Sequence, residues 1–345
     1  MGSTRPELAV VAALLATGLL LATVPGCERG PTTPANAPPD RMRGITFVDW
    51  TAGGYGTPAA ESSLQDLAET GANTVTVIVT GYQNSAAANS MRADDPRTPT
   101  VATVTQALRW AQALGLRVAI KPHVDLDDGS WRGHIEPTAP AEWFAAYREF
   151  ILPWANLAAD VGAAQFVVGT ELAGTLSHTS EWSETIRHVR EVFPGDLVYA
   201  ASWDEAGSVP FWRELDFVGI DFYYPVAPRT DAGRLEILAG WQPWRERLRL
   251  LHRQTGRPVL LTEIGYCSTD GAGMHPSRYQ DAAPLDLGEQ ADLYWAALEA
   301  IAQVDWIAGI SWWNWPADGS GGPGDAQYTP HGKPAAAELS AAWRR

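Results

Sequence analysis

The stretch "PVLLTEIGY", residues 258–266, decides how the rest of the chain is read. Its apolar start suits a buried strand, and the run then delivers a carboxylate, Glu263. A charge at the end of a buried strand is costly unless something pairs it or uses it. By itself Glu263 fits a structural ion pair better than a chemical role. The decision depends on what the other strands bring to the same end.

Upstream of it the chain alternates between two periods. Strands are predicted at 44–50, 73–80, 116–125, 165–172, 196–203 and 216–224, and 306–315 follows as the eighth. Between them lie helical patterns at 61–71, 101–115, 140–162, 180–193 and 287–304, with further helical segments before strand seven and at the C-terminus. Gly71 and Gly115 read as helix stops, Ser180 as a helix cap and Pro153 as a kink point. Eight strands alternating with helices predict a (β/α)₈ TIM barrel as a single catalytic domain over 43–345. The rival, a doubly wound open sheet, is weakened because no G-x-G-x-x-G follows the first strand.

Ahead of the barrel, 1–27 reads as an export signal ending in "LAVVAALLATGLLLATVPGC". Cys27 closes a lipobox-like segment, and a lipid-anchored, exported, cell-surface protein is expected. An ordinary cleaved signal or a single membrane anchor stays open. Residues 28–42, rich in Pro, Ala and Thr, read as an extended linker. With Cys27 lipidated, Cys267 is a lone structural thiol.

Composition narrows the partner. A formal net charge of −15 argues against nucleic acid and against an acidic polymer, because both need clustered Lys and Arg. A neutral substrate fits better. The 16 Trp offer flat faces for stacking if they reach loops, and filler if they do not. No His/Cys cluster has metal-ligand spacing, so neither metal nor cofactor is expected, and the protein is expected to be monomeric.

Barrel enzymes keep their chemistry at the carboxyl ends of the strands. Those ends carry Asp49 and Trp50; Tyr82, Gln83 and Asn84; Lys121, His123 and Asp125; Thr170 and Glu171; Ser202, Trp203 and Asp204; Asp221, Tyr223 and Tyr224; Glu263 and Tyr266; and Trp312, Trp313, Asn314 and Trp315. One rim collects carboxylates and aromatics, with Glu171 and Glu263 across the mouth from each other. Such a pair is what glycoside hydrolysis needs. Lys121 is expected to hold a carboxylate. Trp131, Trp143, Trp182 and Trp241 are assigned to packing. The segment 316–330 is read as a mobile loop beside the site.

The ordered set "KPHVDLDDGSWRG", "FVVGTEL", "FVGIDFYYP", "GWQPW", "LLTEIGY", "GISWWNWP" and "YTPHGKP" resembles glycoside hydrolase family 113, the β-mannanases, across nearly all of 43–334. The resemblance implies a retaining enzyme acting on a neutral β-linked polysaccharide or oligosaccharide. Glu171 would be the acid/base, its pKa raised by burial and by Glu263, and Glu263 the nucleophile. Tyr223 would hydrogen-bond the nucleophile, and Trp312 or Trp313 would floor the −1 subsite. Trp50, Tyr82, Gln83, His123 and Asp125 would line the cleft, with Thr170 and Trp203 also expected to meet substrate. Thr170 departs from the Asn that most of the wider clan carries before the acid/base, and Gly81 stands where a bulkier residue is expected. A β-glucan-active or exo-acting relative, or a non-catalytic glycan-binding lipoprotein, is the alternative.

Overall fold

The computed structural model describes residues 41–279, 283–302 and 304–344. Cys27 and the predicted signal and linker therefore lie outside the described residues, apart from the last two linker positions.

Eight parallel strands close into a barrel in sequential order, β1 to β8, with β8 pairing back onto β1. The strands are β1 (Met42–Val48), β2 (Thr74–Gln83), β3 (Arg117–Leu126), β4 (Gln165–Thr170), β5 (Asp196–Ser202), β6 (Phe217–Asp221), β7 (Val259–Ile264) and β8 (Ile307–Pro316). The main helices are α1 (Pro58–Glu69), α2 (Val101–Ala113), α3 (Pro140–Asp160), α4 (Thr179–Val192), α5 (Arg234–Gly240), α6 (Gln242–Thr255), α7 (Leu287–Ala302) and α8 (Pro334–Trp343). This is the (β/α)₈ TIM barrel, with two helices between β6 and β7.

Local chemistry sets the helix ends. Thr57 and Thr100 accept from the third amide of α1 and α2, and Pro58 opens α1, where its missing N–H costs nothing. Gly71 and Gly115 follow the ends of α1 and α2 in the left-handed region, at φ 89° and 81°. The expected cap Ser180 is corrected: α4 begins at Thr179, so Ser180 lies inside its first turn. Helix α3 runs on through Pro153.

The main core lies between barrel and helices. Trp143, Phe144, Tyr147, Trp182, Tyr199 and Phe211 form a chain of edge-to-face and stacked rings joining α3 and α4 to the strands. A smaller cluster of Val167, Val198 and Ala200, backed by Phe217, packs separately on β4, β5 and β6. Gly81 belongs to the main core rather than to the cleft: a Cβ there would meet the Phe150 ring of α3 at 3.0 Å. Among the described residues, no helix is long and apolar enough to cross a membrane.

Candidate active site

Strand β3 builds one wall of the site by simple alternation. Lys121, His123 and Asp125 are spaced by two, so they share the inward face and climb from the barrel interior to the rim. Lys121 is fully buried. Its Nζ donates to Oε1 of Glu263 at 2.6 Å and to both oxygens of Asp221 at 3.0 and 3.1 Å. Thr262 donates to Asp221 Oδ1 at 2.7 Å. Neighbours Thr262 and Glu263 can both reach this network because the register slips on each side of β7, between Ile220 and Asp221 and between Leu261 and Ile264.

The second oxygen of Glu263 accepts from Tyr223 Oη at 2.8 Å. Burial and the Glu263 charge push the Tyr223 phenol well up, so it stays a donor. His123 Nε2 lies 3.6 Å from Glu263 Oε1, is buried, and has no hydrogen-bond partner. Burial, with Arg132 and Lys121 nearby, pushes His123 well below its ordinary range, so the imidazole is neutral. Burial opposes the Lys121 ammonium, but Asp221 and Glu263 outweigh it and the net shift is upward.

Glu171 follows β4 in the left-handed region, at φ 52°, uncommon for a residue with a side chain. Its amide donates to Ala200 O at 2.8 Å, which fixes the turn. The carboxyl is partly exposed in the cleft and accepts from Trp131 Nε1 at 3.1 Å through Oε2. Burial first, then the Glu263 charge, raise its pKa, with Arg132 and Trp131 opposing. The two carboxylates thus have different surroundings. Glu263 sits against an ammonium and a phenol; Glu171 is held toward its acid form.

Both open into one cleft of about 1090 Å³. Of the expected lining residues, Trp50, Tyr82, His123, Asp125, Trp203, Tyr223 and Trp313 border it. Trp313 stacks near His123, centroids 5.8 Å apart, and meets the edge of Trp50 at 6.5 Å. Asp125 is paired to Arg132 at 2.6 Å, and Arg97 lies over the Tyr82 ring at 3.7 Å.

Three expected contacts are corrected. Gln83 is buried, accepting from Trp143 Nε1 and donating to Ser85 O. Thr170 donates to the Pro122 carbonyl at 3.0 Å and joins β3 to β4. Trp312 is fully buried against Tyr294 of α7, centroids 3.7 Å apart. Alternation sends Trp313 to the cleft and Trp312 to the helices. A register slip at Asn314 then turns Trp315 away as well, onto Ser63 of α1. Tyr224 and Tyr266 are also buried rather than on the rim.

Trp131 reverses its assignment. Trp143, Trp182 and Trp241 are core, whereas Trp131 is 39% exposed and bonded to Glu171. Its place just beyond β3, within "DGSWRG", was the available signal. The segment 316–330, expected to be mobile, is tied down. Lys333 donates to Asp325 Oδ1, to Gln327 O and to Ser268 Oγ, at 2.7 to 2.9 Å, so the loop forms a fixed wall carrying Tyr328. Cys267 is a buried free thiol beneath that wall. Among the described residues, one carboxylate trio, Asp270, Asp286 and Glu289, comes within metal-ligand spacing, but both Glu289 oxygens already accept from the Gly271 and Gly273 amides.

A barrel with two carboxylates differently held at its carboxyl-end mouth is a glycosidase architecture. The family model of Glycoside Hydrolase Family 113 matches residues 45–333, and the chain belongs to that family. It is a glycoside hydrolase. A family-113 β-1,4-mannanase solved as a complex shares 25% identity at a TM-score of 0.82, covering 88% of this chain and 99% of its own. The family-113 β-mannanase of Alicyclobacillus acidocaldarius, solved with ManMIm, shares 28% at 0.81, covering 88% and 97%. Fungal β-1,4-galactanases, at 17% identity and 0.57, share the fold. The chain matches none of the curated proteins.

Proposed function

We propose that this glycoside hydrolase cleaves β-1,4-mannosidic bonds in mannan, glucomannan or mannooligosaccharides with retention of anomeric configuration. The observation that carries the mechanism is the double hold on Glu263, by Lys121 at one oxygen and Tyr223 at the other, facing a Glu171 whose pKa is raised. The substrate class rests on the mannanase names of the family-113 structures that the chain resembles.

In the first step a Glu263 oxygen bonds to the anomeric carbon as the glycosidic C–O bond breaks. The Glu171 proton goes to the departing oxygen. In the second step Glu171, now a carboxylate, takes a proton from water; the water oxygen bonds to the anomeric carbon and the ester to Glu263 breaks. Both carboxyls return to their starting states. Trp50 and Trp313 present ring faces to the apolar sides of sugars, and the unpartnered nitrogen of neutral His123 is placed to bond a hydroxyl beside Glu263. The cleft volume accommodates several sugar rings.

The experiment is a product time course on mannohexaose, with NMR of the first anomer released. Retention with a series of shorter mannooligosaccharides is expected. An inverted first anomer, or preferential cleavage of cellohexaose, overturns the reading.

We also propose export and lipid anchoring at Cys27, which rest on the sequence of residues 1–27 alone. Labelled palmitate should enter the wild type and not Cys27→Ser; equal labelling of both removes the proposal.

A further inference from the structure

The β3–α3 loop carries an arrangement that the two-carboxylate scheme does not require. Trp131 follows a tight turn in which Asp128 Oδ1 accepts from the Ser130 amide at 2.9 Å and its hydroxyl at 2.6 Å. The indole lies down over its own backbone. A Cβ on Gly133 would sit 2.3 to 2.6 Å from three atoms of the ring, so only glycine gives it that seat. His134 meets the ring edge-on, centroids 5.4 Å apart. Arg132, between them, is anchored to Asp125. Gly133 and His134 thus seat an indole whose one polar atom points at Glu171 Oε2, 3.1 Å away.

An indole N–H donates and never accepts. Its partner must therefore be an oxygen without a proton facing it. When Glu171 is a neutral acid, one oxygen bears the proton and the other is a carbonyl. Trp131 selects which is which. Resting on the reading of Glu171 as the acid/base, we propose that Trp131 is a positioning residue that confines the transferable proton of Glu171 to Oε1 and steadies the carboxylate left after its departure.

The atoms balance in both halves of the cycle. The proton leaves Oε1 for the glycosidic oxygen as that C–O bond breaks, and the electron pair left on Glu171 is shared with an oxygen already bonded to the indole. In the second half, Oε1 takes the proton from water, and the Oε2 contact is unchanged throughout. Hydrogen bonding to the charged form also opposes the upward pull of burial and of Glu263. Losing the indole therefore raises the pKa of the acid and extends activity toward higher pH.

The test pairs kinetics with a direct readout. In Trp131→Phe, kcat/KM on mannohexaose is expected to fall about tenfold, less than the roughly 10²- to 10⁴-fold that general acid catalysis as a whole supplies, because the acid itself remains. The basic limb of its pH profile is expected to move up. A 2,4-dinitrophenyl β-mannoside, whose leaving group needs no proton, should react within about twofold of wild type in the glycosylation step. Gly133→Ala, which displaces the ring without removing it, should move the basic limb the same way. Equal losses on both substrates with an unmoved limb in both variants make Trp131 a sugar platform or a structural residue and overturn the proposal. The independent readout is the indole resonance that disappears in Trp131→Phe in ¹⁵N-Trp-labelled protein. In the wild type it should titrate with pH, and in Glu171→Gln it should not. An indole resonance indifferent to Glu171 sinks the inference even if the enzyme is a mannanase. If neither mannoside is cleaved, the mannosidase reading fails, and this titration still decides the Trp131 contact.

Discussion

Lys121 Nζ lies 2.6 Å from Oε1 of Glu263, and both side chains are buried. The ammonium also bonds Asp221, so one buried cation serves two buried carboxylates. Removing it leaves charge in the barrel interior without compensation, at a cost of about 3–5 kcal/mol. Lys121→Met should lower stability by that order at pH 7 and abolish most activity. Burial and the Glu263 charge already push Asp221 well up, so it is the group that takes a proton when the ammonium is gone. The stability deficit should therefore be smaller at pH 5 than at pH 7 in denaturant titrations. A deficit independent of pH would show that lost packing, not lost charge, is responsible.

The two neighbouring tryptophans of β8 should separate function from stability. Trp313→Ala removes a cleft wall and should raise KM or lower kcat on mannooligosaccharides with little change in melting temperature. Trp312→Ala opens a cavity against Tyr294 and should cost about 3–5 kcal/mol of stability. Thermal melts beside kinetics on both variants check this, and the reverse pattern would contradict the facing assigned to the two rings.

Glu205 offers a pH prediction outside the Glu171–Glu263 pair. It is buried, bonded to the Ser202 amide and to Tyr199 Oη, and pushed up to about 8, mainly by burial. A carboxyl with a raised folded pKa binds its proton more tightly in the native than in the unfolded chain. Its contribution is full below the unfolded value of about 4.3 and is lost as pH rises through the window up to about 8. Glu205→Gln should therefore stabilise the protein by roughly 2–4 kcal/mol at pH 8 and flatten the fall in Tm between pH 5 and 8. Parallel Tm–pH curves for variant and wild type would refute it.

Gly81 is predicted to matter to packing and not to substrate. Gly81→Ala presses a Cβ against the Phe150 ring and should cost about 1–3 kcal/mol. KM on mannohexaose should stay within twofold of wild type, about the scatter expected of a residue that touches no sugar. A changed KM with unchanged stability would return Gly81 to the cleft.

If Glu171 is the proposed acid, the basic limb of the wild-type kcat/KM profile should lie above the ordinary carboxylate range, because both burial and Glu263 raise its pKa. Glu171→Gln should lose about 10²- to 10⁴-fold on mannohexaose and far less on an activated aryl mannoside. A limb at the ordinary glutamate value would separate Glu171 from the acid role.

The sequence alone determined the barrel, the order of its strands and the rim on which chemistry gathers. Those features follow from local periodicity: two residues per strand repeat, 3.6 per helix turn, and turn residues between them. The inward set Lys121, His123 and Asp125 is legible for the same reason. What only the tertiary structure decided are the places where alternation breaks. Register slips beside β7 let Thr262 and Glu263 reach one network, and another at Asn314 separates Trp313 from Trp315. Gln83, Thr170 and Trp312 looked like rim residues, but partners distant in sequence, Trp143, Pro122 and Tyr294, claim them. Trp131 is assigned to packing from sequence although its place just beyond β3 marks the rim; that its indole reaches a carboxylate forty residues away is settled only by the fold. Periodicity is a property of neighbours in the chain. Which polar atom meets which depends on how eight strands close, and that is settled only by the sheet as a whole.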